Sequence, residues 1–345
     1  MKIYTSIFDE MTSTERLFEA WAEFRKGKTN RNDVQEFGRY AERNIFRLHR
    51  DLVSGNYRHG EYRSFFIHDP KLRHIRKACV RDRIVHQTLY TTLMRIYEPR
   101  FIDAVYSSRL GKGTHCAVEA LRRCVFKVSR NFTRECWSLK CDIRRFYDSV
   151  DHEILFSLIM STIKDERSLK LIKNVIESFH VEGAPGKGAP IGNLTSQIFT
   201  NIYLDELDQF VKHTLKVKHY LRFADDCLFL SHRKSELQAL VPELEQFLNE
   251  HLKLKLHPEK IILRPLHQGI DFLGYVTLPR HRVLRNATKR RMLRKLRSRH
   301  NEFYKGEVTG ESLSQSLQSY LGMLSHADAY RLSQDVMNIF SWRGN

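Results

Sequence analysis

His219-Tyr-Leu-Arg-Phe-Ala-Asp-Asp-Cys-Leu-Phe-Leu230 places two adjacent aspartates, Asp225 and Asp226, between two apolar runs. Leu221 and Phe223 alternate with Tyr220 and Arg222 before the pair, and Leu228 and Leu230 alternate with Cys227 and Phe229 after it. That period of two predicts a hairpin of paired strands with the carboxylates at its tip. Carboxylates held side by side repel unless a divalent cation or a proton intervenes. An Asp-Asp pair also suits an ordinary turn, but a third carboxylate favours chemistry. Trp137-Ser-Leu-Lys-Cys-Asp-Ile143 reads as a half-buried strand with Trp137, Leu139, Cys141 and Ile143 on one face and Lys140 and Asp142 on the other. Laid beside the hairpin, it brings Asp142 to Asp225. Hard oxygen ligands of this kind suit Mg²⁺ or Mn²⁺, and phosphoryl chemistry is their natural use. A separation of more than ~10 Å between Asp142 and the tip would exclude shared coordination.

The 345 residues, 41% of them hydrophobic, suffice for one large core or two to three subdomains. Fifty-eight Lys and Arg against forty Asp and Glu leave a formal charge of +18. Such an excess favours a polyanionic partner, nucleic acid first and an anionic membrane surface second. No stretch of eighteen apolar residues is present, and the first ten residues lack the apolar run of a signal peptide, so a cytoplasmic protein is expected. The six cysteines form no Cys-x-x-Cys pair and have no histidines at zinc spacing; reduced, semi-buried thiols are expected.

The first sixty residues are expected to form a helical extension, with a capping-box pattern at Thr12-Ser-Thr-Glu15. Residues 61–80 mix short apolar strands with cations and lead into a long helix from Val80. Residues 181–193 hold four glycines and two prolines, which predicts a mobile loop. Asn193 is placed to cap the following helix, whose stripe runs through Leu194, Ile198 and Ile202. An amphipathic helix through Leu237 and Leu248 follows the hairpin, then a short strand alternating Leu252, Leu254 and Leu256 with lysines. Between Arg280 and His300 stand ten Lys or Arg and no acid. A cationic helix of this kind repels itself unless an acidic partner compensates; the carboxylate site tips the choice from a membrane surface to a nucleic-acid backbone.

In this order the pieces resemble a reverse transcriptase over about residues 61 to 300. Asp142-Ile-Arg-Arg-Phe-Tyr-Asp148 resembles the first palm motif, Pro190-Ile-Gly-Asn-Leu-Thr-Ser-Gln197 the glycine-loop motif, and Phe223-Ala-Asp-Asp226 the tetrapeptide usually written Tyr-x-Asp-Asp. Ile191 and Gln197 stand where diversity-generating retroelement enzymes carry an aliphatic residue and Gln, and Tyr106-Ser-Ser-Arg-Leu-Gly-Lys-Gly-Thr-His115 and Phe272-Leu-Gly-Tyr275 match the wider group II intron and retron-related bacterial enzymes. Phe223 with Ala224 departs from the group, which more often has Tyr and Met; the missing phenol puts a hydrogen bond to the primer end in doubt, not the metal site.

The resemblance implies an α+β right-hand polymerase: a helical extension over 1–60, fingers over 61–135, a ferredoxin-like palm over 136–278 with antiparallel sheet, helices on one face and a fingers insertion around 150–190, and a basic helical thumb and tail over 279–345. It implies RNA-directed DNA synthesis, with catalytic Asp142, Asp225 and Asp226 and the carbonyl of Ile143 holding two Mg²⁺ ions, or Mn²⁺, roughly 3.5–4 Å apart. Lys71, Arg73 and Arg76 fall where fingers cations meet the triphosphate. Tyr147 matches the steric gate against a 2′-hydroxyl, Gly192 and Gln197 shape the nascent-pair pocket, and Lys260 would protonate pyrophosphate. Implied partners are an RNA template, a DNA or RNA primer, dNTPs, a structured noncoding RNA and a small basic accessory protein, with no membrane. The rival readings are a catalytically silent RNA-binding protein of the splicing type, an RNA-dependent RNA polymerase, and a phage-defence or retron-like enzyme. No endonuclease, RNase H or zinc-bearing domain is recognisable in residues 301–345, which read as a short helical tail.

Overall fold

The computed structural model describes residues 2–69 and 71–340, so residues 341–345 of the expected tail lie outside the described residues. Helices α1 (Phe8–Thr12), α2 (Thr14–Arg25), α3 (Asn32–Arg39) and α4 (Ala41–Val53) make the first part of the chain helical, as expected. Ser13, not Thr12, caps α2, accepting a hydrogen bond from the Arg16 N–H. An exposed antiparallel hairpin follows, β1 (Arg63–Ile67) with β2 (Arg73–Lys77), and then α5 (Val80–Tyr97) and α6 (Thr114–Val128). The centre of the chain supplies β3 (Trp137–Asp142), α7 (Phe146–Ser149), α8 (His152–Met160), α9 (Glu166–Glu177), α10 (Leu194–Gln209), β4 (Tyr220–Phe223), β5 (Asp226–Ser231), α11 (Lys234–Leu252) and β6 (Ile262–Pro265). Three short strands, β7 (Ile270–Phe272), β8 (Tyr275–Thr277) and β9 (Arg282–Leu284), precede α12 (Asn286–Tyr304), α13 (Gly310–Leu324) and α14 (Tyr330–Phe340).

The central sheet is antiparallel in the order β4-β5-β3-β6. The alternation read in the hairpin is real, but it sorts side chains between two cores and not between core and solvent. Tyr220, Cys227 and Phe229 pack with α10 and α11. Leu221, Leu228 and Leu230 face the opposite way, toward α6, the small sheet and the C-terminal helices. Helices thus lie on both sides of the β4–β5 hairpin, beyond the single helical face expected, while β3 is half-buried as expected, with Leu139 and Cys141 in the core and Lys140 and Asp142 lining an open cleft. Leu228 and Phe229, both 0% exposed, each contribute about 1.5–3 kcal/mol through burial.

Several local expectations give way to tertiary contacts. The glycine loop is tied down at many points: Ala189 N–H donates to the Tyr147 carbonyl at 2.7 Å, Gly188 N–H to Val150 at 2.8 Å and His152 N–H to Gly186 at 3.0 Å. Asn193 does not cap α10; its side chain reaches across to the hairpin, donating to the Arg76 carbonyl at 2.7 Å and accepting from the Ala78 N–H at 3.3 Å. The strand expected over Leu252–Leu256 is absent, because Leu252 closes α11 with Lys253 in a left-handed cap and only Leu256 pairs, as a single bridge to Ile143. The short tail is two further helices, α13 and α14, sharing a core with α12 through Leu296, Leu317 and Val336. The cysteines are free, yet Cys79 and Cys116 are exposed instead of semi-buried.

Candidate functional site

Strand register brings the carboxylates together. Asp142, the last residue of β3, lies directly opposite Asp226, the first residue of β5. Cα atoms of such partners stand about 4.5–5.5 Å apart, well inside the limit for shared coordination. Phe223 pairs with Asp226, so Ala224 and Asp225 form a two-residue turn, with Ala224 at φ +53°. A left-handed alanine costs about 1–2 kcal/mol, and a buried network holds it there. Ser107 Oγ accepts from the Ala224 N–H at 2.8 Å, and Arg222 Nη1 donates to the Ala224 carbonyl at 3.1 Å. Arg222, fully buried inside β4, is neutralised by Asp208 of α10 through bonds of 2.6–3.0 Å, and Tyr220 Oη donates to the same carboxylate at 2.8 Å. Asn201 joins Arg222 to the Ser107 carbonyl.

The three aspartates differ electrostatically. Lys260 Nζ lies 2.5 Å from Asp142 Oδ2, and Lys140 Nζ lies 3.2 Å from Asp226 Oδ1. Among the described residues Asp225 has no salt-bridge partner; burial first, then the negative charges of Asp142 and Asp226, push its carboxyl up to about 6. A carboxylate so strained by its neighbours fits a site built for a cation. Among the described residues no three His, Cys, Asp or Glu side chains already close around one ion point, while Asp142 and Asp226 each face a lysine.

The remaining expected residues fall at different distances from this centre. Tyr147 on α7 is near enough to Asp225 that burial and that carboxylate raise its phenol, while Thr200 and Arg73 oppose the shift. Arg73 and Ile75 share one face of β2, the face that meets Gly192: a Cβ on Gly192 would stand 2.7 Å from Ile75 Cγ2, and the residue sits at φ +107°. Arg76 projects from the other face, with its guanidinium 5.8 Å from the Phe179 ring centre. Its backbone nevertheless holds the glycine loop, the N–H donating to the Ile191 carbonyl at 3.0 Å. Gln197 is exposed on the first turns of α10, and Ile143 is buried just past β3. Lys71, Lys260, Asp142 and Asp226 line one cleft of about 1650 Å³, closed on its far side by Arg290, Arg291 and Arg294 of α12.

Lys140 and the Arg222–Asp208 pair were not singled out by sequence reasoning. The available signal was a lone arginine inside an apolar strand, which cannot be buried without a carboxylate partner.

The family described as reverse transcriptase (RNA-dependent DNA polymerase) matches residues 67–277, a span holding all three aspartates, the hairpin cations and the glycine loop. The chain belongs to the reverse transcriptase family. Within the family it is similar to Protein YkfC of Escherichia coli (strain K12), 25% identical over 70% of this chain and 71% of that protein. It is also similar to the group II intron-encoded protein LtrA of Lactococcus lactis subsp. cremoris, 24% identical over 73% of this chain and 52% of LtrA. An uncharacterized 91 kDa protein in the cob intron of Schizosaccharomyces pombe matches a shorter stretch, 34% identical over 39% of this chain and 16% of its own length. The chain thus spans most of one of these relatives and about half of LtrA. This reverse transcriptase is of the group II intron and retron-related type, with an α+β polymerase fold. No helix among its described residues is long and apolar enough to cross a membrane.

Proposed function

We propose that this reverse transcriptase is an active RNA-directed DNA polymerase that extends a primer 3′-hydroxyl with dNTPs. The observation that carries the reading is the register placing Asp142 opposite Asp226, one residue from the unpaired Asp225. Asp142, Asp225 and Asp226, with the Ile143 carbonyl, are the residues that would hold Mg²⁺, or Mn²⁺ in its place. Bound there, the metal supplies charge neutralisation for the triphosphate and a more acidic primer hydroxyl. Phosphoryl transfer asks little covalent work of a protein, so the side chains act by positioning and electrostatics. Lys260 and Lys140 pair with the outer carboxylates, and Lys260 would protonate the departing pyrophosphate. Arg73 and Lys71 face the triphosphate, and Arg76 anchors the glycine loop through its backbone. The Tyr147 ring closes the sugar pocket against a 2′-hydroxyl, and Gly192 and Gln197 border the nascent pair.

The division into an N-terminal extension (1–60), fingers (61–135), palm (136–278) and thumb with tail (279–345) follows the same reading. Hairpin β1–β2 with Lys71 and helix α12 form opposite walls of the cleft, as fingers and thumb would around template and primer. Copying of a dedicated structured RNA in a retroelement of the diversity-generating type, aided by a small basic protein, extends the resemblance in the motifs. Asp225→Asn tests the reading: primer extension on an RNA template falls by at least ~10³-fold while template–primer binding stays within about twofold. A variant that still extends primers would refute the catalytic assignment, and wild-type protein that binds RNA but never extends would favour the splicing-type reading.

A further inference from the structure

A second cavity, of about 830 Å³, opens between α6, the β8–β9 turn and the turn joining α13 to α14. The carboxylates Asp142, Asp225 and Asp226 are not in its wall, although Ser325 and His326 border both this cavity and the aspartate cleft. Two features meet here. Arg123 and Lys127 of α6 and Arg280 of the β8–β9 turn are exposed and, among the described residues, form no salt bridge. The acid in the wall, Asp328, is engaged, its Oδ2 accepting from the Arg282 N–H at 2.7 Å. Phe126 leaves half its surface open (50%) and packs edge-on against Phe132 with ring centres 6.0 Å apart.

Unpaired cations beside an open aromatic face match the phosphate and base of a single strand. A lipid surface would use the cations but would leave the aromatic face without a ring to stack on it. We propose that this cavity is an accessory site for single-stranded nucleic acid, with a base stacked on Phe126 and the flanking phosphates on Arg123, Lys127 and Arg280. The site needs the chain to handle nucleic acid, as proposed above, but it does not need catalysis.

Fluorescent oligonucleotides of one sequence, one RNA and one DNA, are titrated in EDTA onto the full chain with its cleft saturated by primer–template duplex. A saturable second binding event is expected. R123E/K127E weakens it by about tenfold or more and lowers its salt slope by roughly 1–2, leaving primer extension on a bound duplex unchanged. F126A weakens it by about fivefold or more through lost stacking. Preference for RNA assigns the site to template or partner RNA, and preference for DNA to the product strand. No second event, full competition by phosphatidylserine vesicles, or F126A binding as wild type would overturn the proposal, the last by reducing the cavity to a plain polyanion patch. Asp225→Asn abolishes extension only, so failure of catalysis and failure of this site read out separately.

Discussion

Arg222 shows how much one side chain does for the catalytic turn. It lies inside a strand, fully buried, and its charge is met by Asp208 while its remaining N–H groups hold Asn201 and the Ala224 carbonyl. Removing one member of a buried pair strands the other, which costs about 3–5 kcal/mol, whereas replacing both with apolar groups costs far less. Arg222→Met should therefore lower the urea midpoint strongly, and adding Asp208→Leu should restore part of it. Midpoints of the single and double variants check this. One helical turn earlier, Asp205 is 5% exposed; burial first, and then the Asp208 charge, raise its carboxyl to about 6 against the hydrogen bond from Gln209. The folded chain thus keeps a proton between about pH 4 and 6 that the unfolded chain, titrating near 4, has released. Stability from this group falls as pH rises through that window. Asp205→Asn removes the dependence, so the difference in unfolding free energy should move in the variant's favour by on the order of 2–3 kcal/mol between pH 4 and 7, measured by denaturant titration at each pH.

Among elements, the glycine loop and hairpin β1–β2 behave as one joint. Asn193 and the Arg76 backbone bond across it, and Gly192 lets the loop approach Ile75 where a Cβ would collide. Gly192→Ala meets both the contact and the left-handed φ, and should destabilise by about 1–3 kcal/mol. Trimming the partner in Gly192→Ala/Ile75→Ala should recover the clash but not the dihedral cost, so a double-mutant cycle gives a favourable coupling energy. Equal and additive losses would place the loop elsewhere. The sequence exposed this joint only in part. Four glycines signalled an irregular segment, but whether such a segment is loose or tied depends on partners far along the chain, from His152 back to Ile75, and Asn193, a good cap by type, accepts instead from the Ala78 N–H across the joint.

For the whole molecule, the cleft is closed by a contact between its two walls: Asp69, beyond β1, meets Lys295 of α12 at 2.5 Å, with Arg294 at 3.8 Å. The pair is exposed, so salt screens it. Asp69→Asn should let hairpin and helix separate, lowering energy transfer between a dye on β1–β2 and one on α12, and added salt should shift wild type the same way. Transfer that responds to neither would show the walls to be held by other contacts. The same ten-cation run explains this arrangement, since an uncompensated basic helix gathers whatever acid its surroundings present, a side chain in the free protein or a phosphate when nucleic acid enters.

By itself the sequence determined the hairpin, the strand ending in Asp142, the basic C-terminal helix and the family, because these rest on local period, turn chemistry and the spacing of rare residue types. Only the tertiary structure decided that Asp142 faces Asp226 in register, that the apolar residues of the hairpin feed two cores and that Arg222 is paired inside. Pairing register, the far side of a strand and the partner of a buried charge are set by segments distant in the chain. A period of two says which residues share a face, but not what covers it.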